Sequence, residues 1–316
     1  MAPVDDYIKK VGFLPPPPPV FAQLLSLLGK PNADLGELVQ LLSFDPALTA
    51  NLLRASNSAW MGAGIPIESI AQAVLRLGSN TISRMVVTLS IRCVLEPLGA
   101  TAHDEIGDFW KHSVTTAVAA ELVAKDQGDD AGLVFTAGLL HDLGKAILTL
   151  VAADTYKLLL EEVQRNQSCL LDAEKDTFGA HHAEIGARLF EMWHFPKSLV
   201  TAVRFHHDPG SAGSYSKLAA YVYVADMIAY FMGHGYGFQC LSLRRRGEAL
   251  DSLQLPLSVF GQYMGQTEEN LPLIQGLLDA VYEKGTGSPQ RIDFFGGASN
   301  NNSHLPGKSS LGRFHR

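Results

Sequence analysis

Seven residues spread through the middle of this chain carry side chains suited to holding a cation: His112, His141, Asp142, His182, His206, His207 and Asp226. His141 and Asp142 are adjacent. They interrupt an apolar run, Ala137-Gly138-Leu139-Leu140-His141-Asp142-Leu143-Gly144-Lys145-Ala146. A His-Asp pair buried in such a run costs free energy unless its polar atoms are satisfied. A hydrogen-bond network would satisfy it, and so would a metal ion. For a single pair the network is the simpler account. Here imidazoles and carboxylates recur along the chain, which favours a metal. The mixture suits Fe, Mn or Zn better than Mg or Ca. Asp108 lies four residues before His112, so on a helix the two share one face.

The elements that must position these residues are helical. Val134, Leu139, Leu140, Ile147, Leu148 and Leu150 make the region around His141 a buried apolar helix, with its polar cluster in mid-run. Before it, Ile106, Phe109, Trp110, Val114, Ala117, Ala120 and Leu122 predict an amphipathic helix bearing His112, closed by a turn at Gln127-Gly128-Asp129-Asp130. After it, the pattern predicts helices over residues 154–164, 179–193 and 196–206, the second opened by Gly179-Ala180-His181-His182 and the last ended by Asp208-Pro209-Gly210. An apolar stretch over residues 218–231 contains one acid, Asp226.

In the first half, Leu35, Leu38, Leu41 and Leu42 have helical spacing. Asp45-Pro46 opens a further helix as N-cap and first-turn proline. Ile70, Ala73, Val74 and Leu77 begin another that stops at Gly78, and residues 82–95 form a long apolar segment. Its β-branched residues also suit a strand, but its length predicts a buried helix. The prolines Pro15 to Pro19 predict an extended polyproline strap or linker. Pro97-Leu98-Gly99-Ala100 marks a break, and residues 285–316, rich in Gly, Ser, Asn and Pro, predict a disordered tail. No hairpin signals or repeats stand out, so the fold class is all-α.

The chain has 316 residues, 47% of them hydrophobic, with mean hydropathy +0.08, enough for a substantial core in one large or two smaller domains. A net charge of -7 and pI near 5.9 argue against a large basic nucleic-acid footprint. Cys93, Cys169 and Cys240 have no paired spacing and read as reduced packing residues of a cytoplasmic protein. Acidic residues near Met1 argue against a signal peptide. The longest apolar zone, residues 131–153, is cut by His141-Asp142 and Lys145, which argues against a membrane span. Arg244-Arg245-Arg246 reads as a solvated face.

Asp45-Pro46-Ala47-Leu48, Leu53-Arg54-Ala55-Ser56-Asn57-Ser58, Ala71-Gln72-Ala73-Val74-Leu75-Arg76-Leu77-Gly78 and Trp193-His194-Phe195-Pro196, together with the proline-rich lead-in, resemble the HDOD domain. The second half resembles the HD superfamily of metal-dependent phosphohydrolases, in the order His112, His141-Asp142, Asp226. His141-Asp142-x-Gly144-Lys145, His182-Ala183-Glu184-Ile185-Gly186 and His206-His207 resemble HD-GYP cyclic-di-GMP phosphodiesterase segments, and Asp108 could match a further acidic ligand there. Asp208-Pro209-Gly210 stands where that group has Gly-Tyr-Pro.

The resemblance covers residues 13–230. It implies an N-terminal helical subdomain (13–99) packed on an HD-like helical bundle (100–230). Residues 1–12 would precede it, and a C-terminal helical extension (231–284) and the tail (285–316) would follow. It implies two divalent transition ions, Fe or Mn ahead of Zn. Asp142 would bridge them, the five histidines would surround them, and Asp226 would close one shell. Lys145 would meet a phosphate oxygen as a point charge, so Asp142 and Lys145 are the catalytic candidates. His181 and His194 read as structural or supporting residues.

Three readings follow. One is a bacterial signalling regulator whose HD-like half is a metal-stabilised platform for a protein partner. The second is a metal-dependent phosphodiesterase or phosphohydrolase acting on a cyclic dinucleotide or another nucleotide. The third is a helical protein with hydrogen-bonded histidines. HDOD proteins are mostly regulators, which places the first ahead; the full ligand set speaks for the second.

Overall fold

The computed structural model describes residues 4–5, 7, 23–24, 27, 35–43, 46–57, 66–95, 103–235 and 243–282. The polyproline run, the break at 97–100 and the tail from 285 lie outside the described residues. Among the described residues every regular element is helical, and residues Met1–Tyr282 fall in one compact unit.

The first half contributes α1 (Leu35–Ser43), α2 (Pro46–Ser56), α3 (Ile70–Leu77) and α4 (Ser79–Leu95). Local chemistry sets their ends. The Ser69 side chain accepts from the Gln72 N–H at 3.2 Å to cap α3, and Gly78, at φ 81°, stops it in a conformation that costs glycine little. Beyond α2, Asn57 bonds both backbone groups of Ile67 at 2.7 Å and so ties the start of the next segment to the helix end. The β-branched residues 82–95 are helical, as their length predicts. Ile82, Val86 and Val87 face the core.

The second half is built on α5 (His103–Asp126), α6 (Ala131–Leu140), α7 (Leu143–Val151), α8 (Ala153–Asn166), α9 (Leu170–Phe178), α10 (His182–Met192), α11 (Lys197–Arg204) and α12 (Ser216–Ala229). A 3-10 segment, Pro209–Tyr215, precedes α12 and a π turn, Tyr230–His234, follows it. Then come α13 (Leu243–Ser252) and α14 (Phe260–Tyr282). Helix α6 opens where Asp130 accepts from the Gly132 and Leu133 N–H groups at 3.1 and 3.0 Å. Every residue from Val134 to Leu140 is buried, as suits a helix that is apolar all round. It packs against α4, α5, α11 and α12. Gly138 permits the close approach to α5, since a Cβ there would lie 3.0 Å from the Ala117 Cα. By length and composition the stretch Ala131–Val151 could cross a membrane, but most of its apolar part is buried inside the fold. It also breaks into α6 and α7 at His141-Asp142.

One helix has no counterpart among the elements that the sequence pattern predicts. Residues 170–178 carry four charged side chains beside Leu170, Leu171, Ala173 and Phe178. They form α9, because Leu170 and Phe178 bury against the core beside Tyr156. Two described N-terminal residues reach this region. Asp5 pairs with Arg188 of α10 at 2.9 Å, and Tyr7 meets the Phe178 ring edge-on at 5.8 Å.

Candidate metal centre

The seven residues come from five places in the fold. His112 is on α5, His182 is the first residue of α10, and Asp226 is on α12. His206 and His207 occupy the turn after α11. His141 and Asp142 form the break between α6 and α7, where Asp142 takes φ -99°, ψ 8° at the N-cap of α7. Its carboxylate makes no capping bond to its own helix. It turns inward to the histidines instead.

The side chains gather into two buried groups: His112, His141 and Asp226, and then Asp142, His182, His206 and His207. Asp142 joins them. Its Oδ2 lies 3.2 Å from both His112 Nε2 and His141 Nε2. Its Oδ1 lies 3.2 Å from His182 Nε2 and 3.7 Å from His206 Nε2. Asp226 Oδ1 is 3.3 Å from His112 Nε2. Lys145 Nζ, in the first turn of α7, is 2.6 Å from Asp142 Oδ2 and fully buried.

The outer ring nitrogens decide how the inner ones face. His112 Nδ1 donates to the His234 carbonyl (3.0 Å), His141 Nδ1 to the Gly138 carbonyl (2.7 Å) and His206 Nδ1 to the Val203 carbonyl (2.7 Å). A carbonyl only accepts, so the proton stays on Nδ1 and each Nε2 presents a lone pair inward. His182 Nδ1 is held by Glu174 Oε2 at 2.6 Å, and Glu174 in turn accepts from the Tyr156 hydroxyl at 2.7 Å. This is the outer-shell arrangement that orients metal-binding imidazoles. Two buried atoms at the centre, Asp142 Oδ1 and His206 Nε2, have no hydrogen-bond partner. Such orphans are costly without a cation, so the residues present fit a metal.

The electrostatics show where protons stand in its place. Burial opposes charge on Asp142, but His141, Lys145 and the hydrogen bonds from His112 and His141 outweigh it and hold the carboxyl well below its ordinary range. Burial, joined by the charge of neighbouring histidines, pushes His206 and His207 well down. Burial also works against charge on His141 and His182, yet Asp142 raises His141, and Glu174 with Asp142 raises His182 to about 9. Each group therefore contains one imidazole whose pKa is raised, His141 in one and His182 in the other. His182 Nε2 lies 3.0 Å from His207 Nε2, and His141 Nε2 lies 3.2 Å from His112 Nε2.

Ion binding must displace these protons. Protonation of His182 stabilises the metal-free fold fully below its ordinary 6.5, and this contribution is lost as pH rises through about 9. Ion affinity changes in the opposite sense. It should rise across that window by about tenfold per pH unit for each displaced proton. Titration calorimetry in buffers of different ionisation enthalpy should show proton release, at least the one that His182 holds, when ions bind near neutral pH. Proton release near zero would contradict the assignment.

Other residues singled out in the sequence fall elsewhere. Asp108 is exposed and outside both groups, although it shares a helix with His112. His181 is the N-cap of α10, where Glu184 accepts from its backbone N–H at 3.1 Å. Burial and the charge of His182 push its imidazole down to about 4. His194 is exposed at φ 56° and ends α10 in a left-handed turn. Arg244 to Arg246 lie on α13, with their side chains outside the described residues. Sequence reading missed Glu174, because the helix that carries it was not expected. It also missed the His234 carbonyl, because a backbone acceptor has no residue-type signal.

Comparison with known proteins agrees with this geometry. The HDOD domain model matches residues 14–209. The chain belongs to the HDOD domain family. An uncharacterised protein of Treponema pallidum is 27% identical over 280 residues, which are 87% of this HDOD chain and 50% of that protein. Ribonuclease Y of Thermus thermophilus is 32% identical over 102 residues, 32% of this chain and 13% of its own length. The chain thus spans half or less of these curated relatives. Among solved structures, an HDOD domain protein of unknown function from Geobacter sulfurreducens superposes with TM-score 0.68 at 22% identity, covering 89% of this chain and 97% of that one. A chain from Marinobacter aquaeolei VT8, provisionally named for signal transduction, gives 0.73 at 22% identity, covering 88% and 65%. A chain from Shewanella amazonensis SB2B, provisionally named a phosphohydrolase, gives 0.64 at 24% identity, covering 87% and 97%. At these identities the likeness is one of fold.

Proposed function

We propose that this HDOD protein is a cytoplasmic signalling regulator whose HD-like half holds a two-ion His/Asp centre and presents a metal-dependent surface to a protein partner. The observation that carries the reading is Asp142, whose two oxygens face two separate nitrogen-rich groups. His112, His141 and Asp226 would hold one ion, and His182, His206 and His207 the other. Nitrogen donors mixed with carboxylates favour Fe or Mn over Mg or Ca. The ligands are closed off: six of the seven are at most 1% exposed, and His207 is 8% exposed. That closure, with Asp208-Pro209-Gly210 following the paired histidines, favours a platform over an open catalytic cleft.

A second reading, hydrolysis of a phosphodiester, rests on charge. Asp142, Asp226, Glu174 and Lys145 gather here with His141 and His182, whose pKa values are raised. Two divalent ions would add positive charge at this buried point, which an anion such as phosphate would neutralise. Bound ions would supply Lewis acidity and an activated water. The chain's own part would be to keep the five imidazoles oriented and to exclude bulk water, with Lys145 as a further cation. A partial relative that is a ribonuclease and a structural neighbour provisionally named a phosphohydrolase support this reading.

Elemental analysis of protein purified without chelator under anaerobic, reducing conditions should find about two transition ions per chain. Loaded protein should melt higher than the stripped form and leave a cyclic dinucleotide and a short RNA intact. Absence of transition metal would remove the proposal. Turnover of roughly 1 per second or faster would replace the platform with the enzyme.

A further inference from the structure

The helix that supplies Asp226 does not stop at its last α turn. It continues into the π turn Tyr230–His234, which ends on Gly233 at φ 77° followed by His234. A π turn widens the helix by one residue, and such turns often mark functional positions. This one returns His234 to the face of α5 that carries His112. The His234 carbonyl accepts from His112 Nδ1 at 3.0 Å. The His234 ring lies against Thr115, one turn beyond His112, with Nδ1 2.9 Å from the hydroxyl oxygen. The Thr115 hydroxyl donates to the Lys111 carbonyl at 2.8 Å. Its oxygen is therefore left to accept, and His234 Nδ1 must donate. At its other end, His112 Nε2 is 3.3 Å from Asp226 Oδ1 on the same α12. One continuous segment thus orients His112 through its Nδ1 and places Asp226 beside its Nε2.

We propose that His234 is a positioning residue for the metal centre: its ring, anchored on Thr115, sets the carbonyl that fixes the orientation and tautomer of His112. This rests on the two-ion reading above and assigns control of one of its ions. The ion held by His112, His141 and Asp226 depends on the π turn. The ion held by Asp142, His182, His206 and His207 does not, because His182 and His206 are oriented by Glu174 and the Val203 carbonyl. The turn is also where the chain leaves α12 for α13 and α14, so anything that shifts this segment would change one ion and spare the other.

The test counts ions and reads their ligand field. Stripped wild-type protein titrated with Co(II) should bind about two ions, with visible bands for both sites. His234→Ala should retain one tightly bound ion and bind the other about 10–100-fold more weakly, the usual effect of removing an outer-shell partner. Thr115→Val should weaken the same ion, since it keeps the shape but loses the acceptor. His234→Asn should restore it, because its amide nitrogen occupies the place of Nδ1 and can donate to Thr115. A structural role would not produce one-site loss with rescue by asparagine. Two unchanged ions in His234→Ala and Thr115→Val would overturn the proposal. So would equal loss of both ions, or failure of asparagine to rescue. Wild-type protein that binds no Co(II) would overturn the two-ion reading itself, and the two failures are told apart by that control.

Discussion

Asp142→Asn should lose both ions together. Asparagine has nearly the same size and keeps one oxygen, so the packing at the α6–α7 break survives. The lost feature is the negative charge shared by two groups of imidazoles and by Lys145, whose Nζ is 2.6 Å away with neither side chain exposed. In the metal-free protein, breaking a buried ion pair costs about 3–5 kcal/mol. With metal present, the variant also forgoes the stabilisation that bound ions confer, about 2.7 kcal/mol at a hundredfold excess over Kd. Chemical denaturation with and without added Mn(II) separates these contributions. Wild type should gain stability from the ion, and Asp142→Asn should start lower and gain almost nothing. If Asp142→Asn still binds two ions with wild-type affinity, Asp142 does not bridge the groups. If loaded wild-type protein hydrolyses a cyclic dinucleotide at enzymatic rates and Asp142→Asn is inert, the site is catalytic.

Gly144→Ala should be nearly as damaging, although Gly144 binds nothing. A Cβ at Gly144 would fall 1.9 Å from the His182 carbonyl oxygen and 2.6 Å from its carbonyl carbon. Both are backbone atoms of α10, so no side chain can rotate aside. Helices α7 and α10 would have to separate, and they carry the two sides of the 3.2 Å contact between Asp142 Oδ1 and His182 Nε2. Overpacking of this kind costs about 1–3 kcal/mol, sometimes more. We expect the upper end, with loss of the ion held by His182. Gly261→Ala is the matched control. It lies on α14 with nothing within 4 Å of the added carbon, so it should be neutral or stabilising by up to about 1 kcal/mol. Equal stability and metal content in Gly144→Ala and Gly261→Ala would refute the argument.

Gly144 also shows why His141-Asp142-x-Gly144-Lys145 reads as a unit. The histidine and aspartate would supply ligand atoms, the lysine pairs with the aspartate, and the glycine lets the helix that carries His182 come within reach. Only the first two roles can be inferred from residue type. The third depends on which helix lies opposite, a tertiary fact.

Much else was readable in one dimension. Helical spacing of apolar residues predicted α1, α3, α5, α6 and α10. The Gly78 stop follows from local backbone chemistry, which acts within a few residues and so survives without the fold. The seven metal-site residues were visible as well, because imidazole beside carboxylate in apolar surroundings is expensive and rarely accidental. The tertiary structure decided the rest. It formed α9 from a mostly polar segment, since burying Leu170 and Phe178 beside Tyr156 outweighs weak local periodicity, and so brought Glu174 to His182. It excluded Asp108, which the i, i+4 spacing had placed on the face of His112: Asp108 is exposed where His112 is buried, and it joins neither group. It divided the ligands into two groups joined by Asp142. And it set a backbone carbonyl, from His234, against His112. Sequence specifies which side chains can bind a cation. How they divide and which proton each holds depends on distances between helices far apart in the chain, and those are settled only by packing.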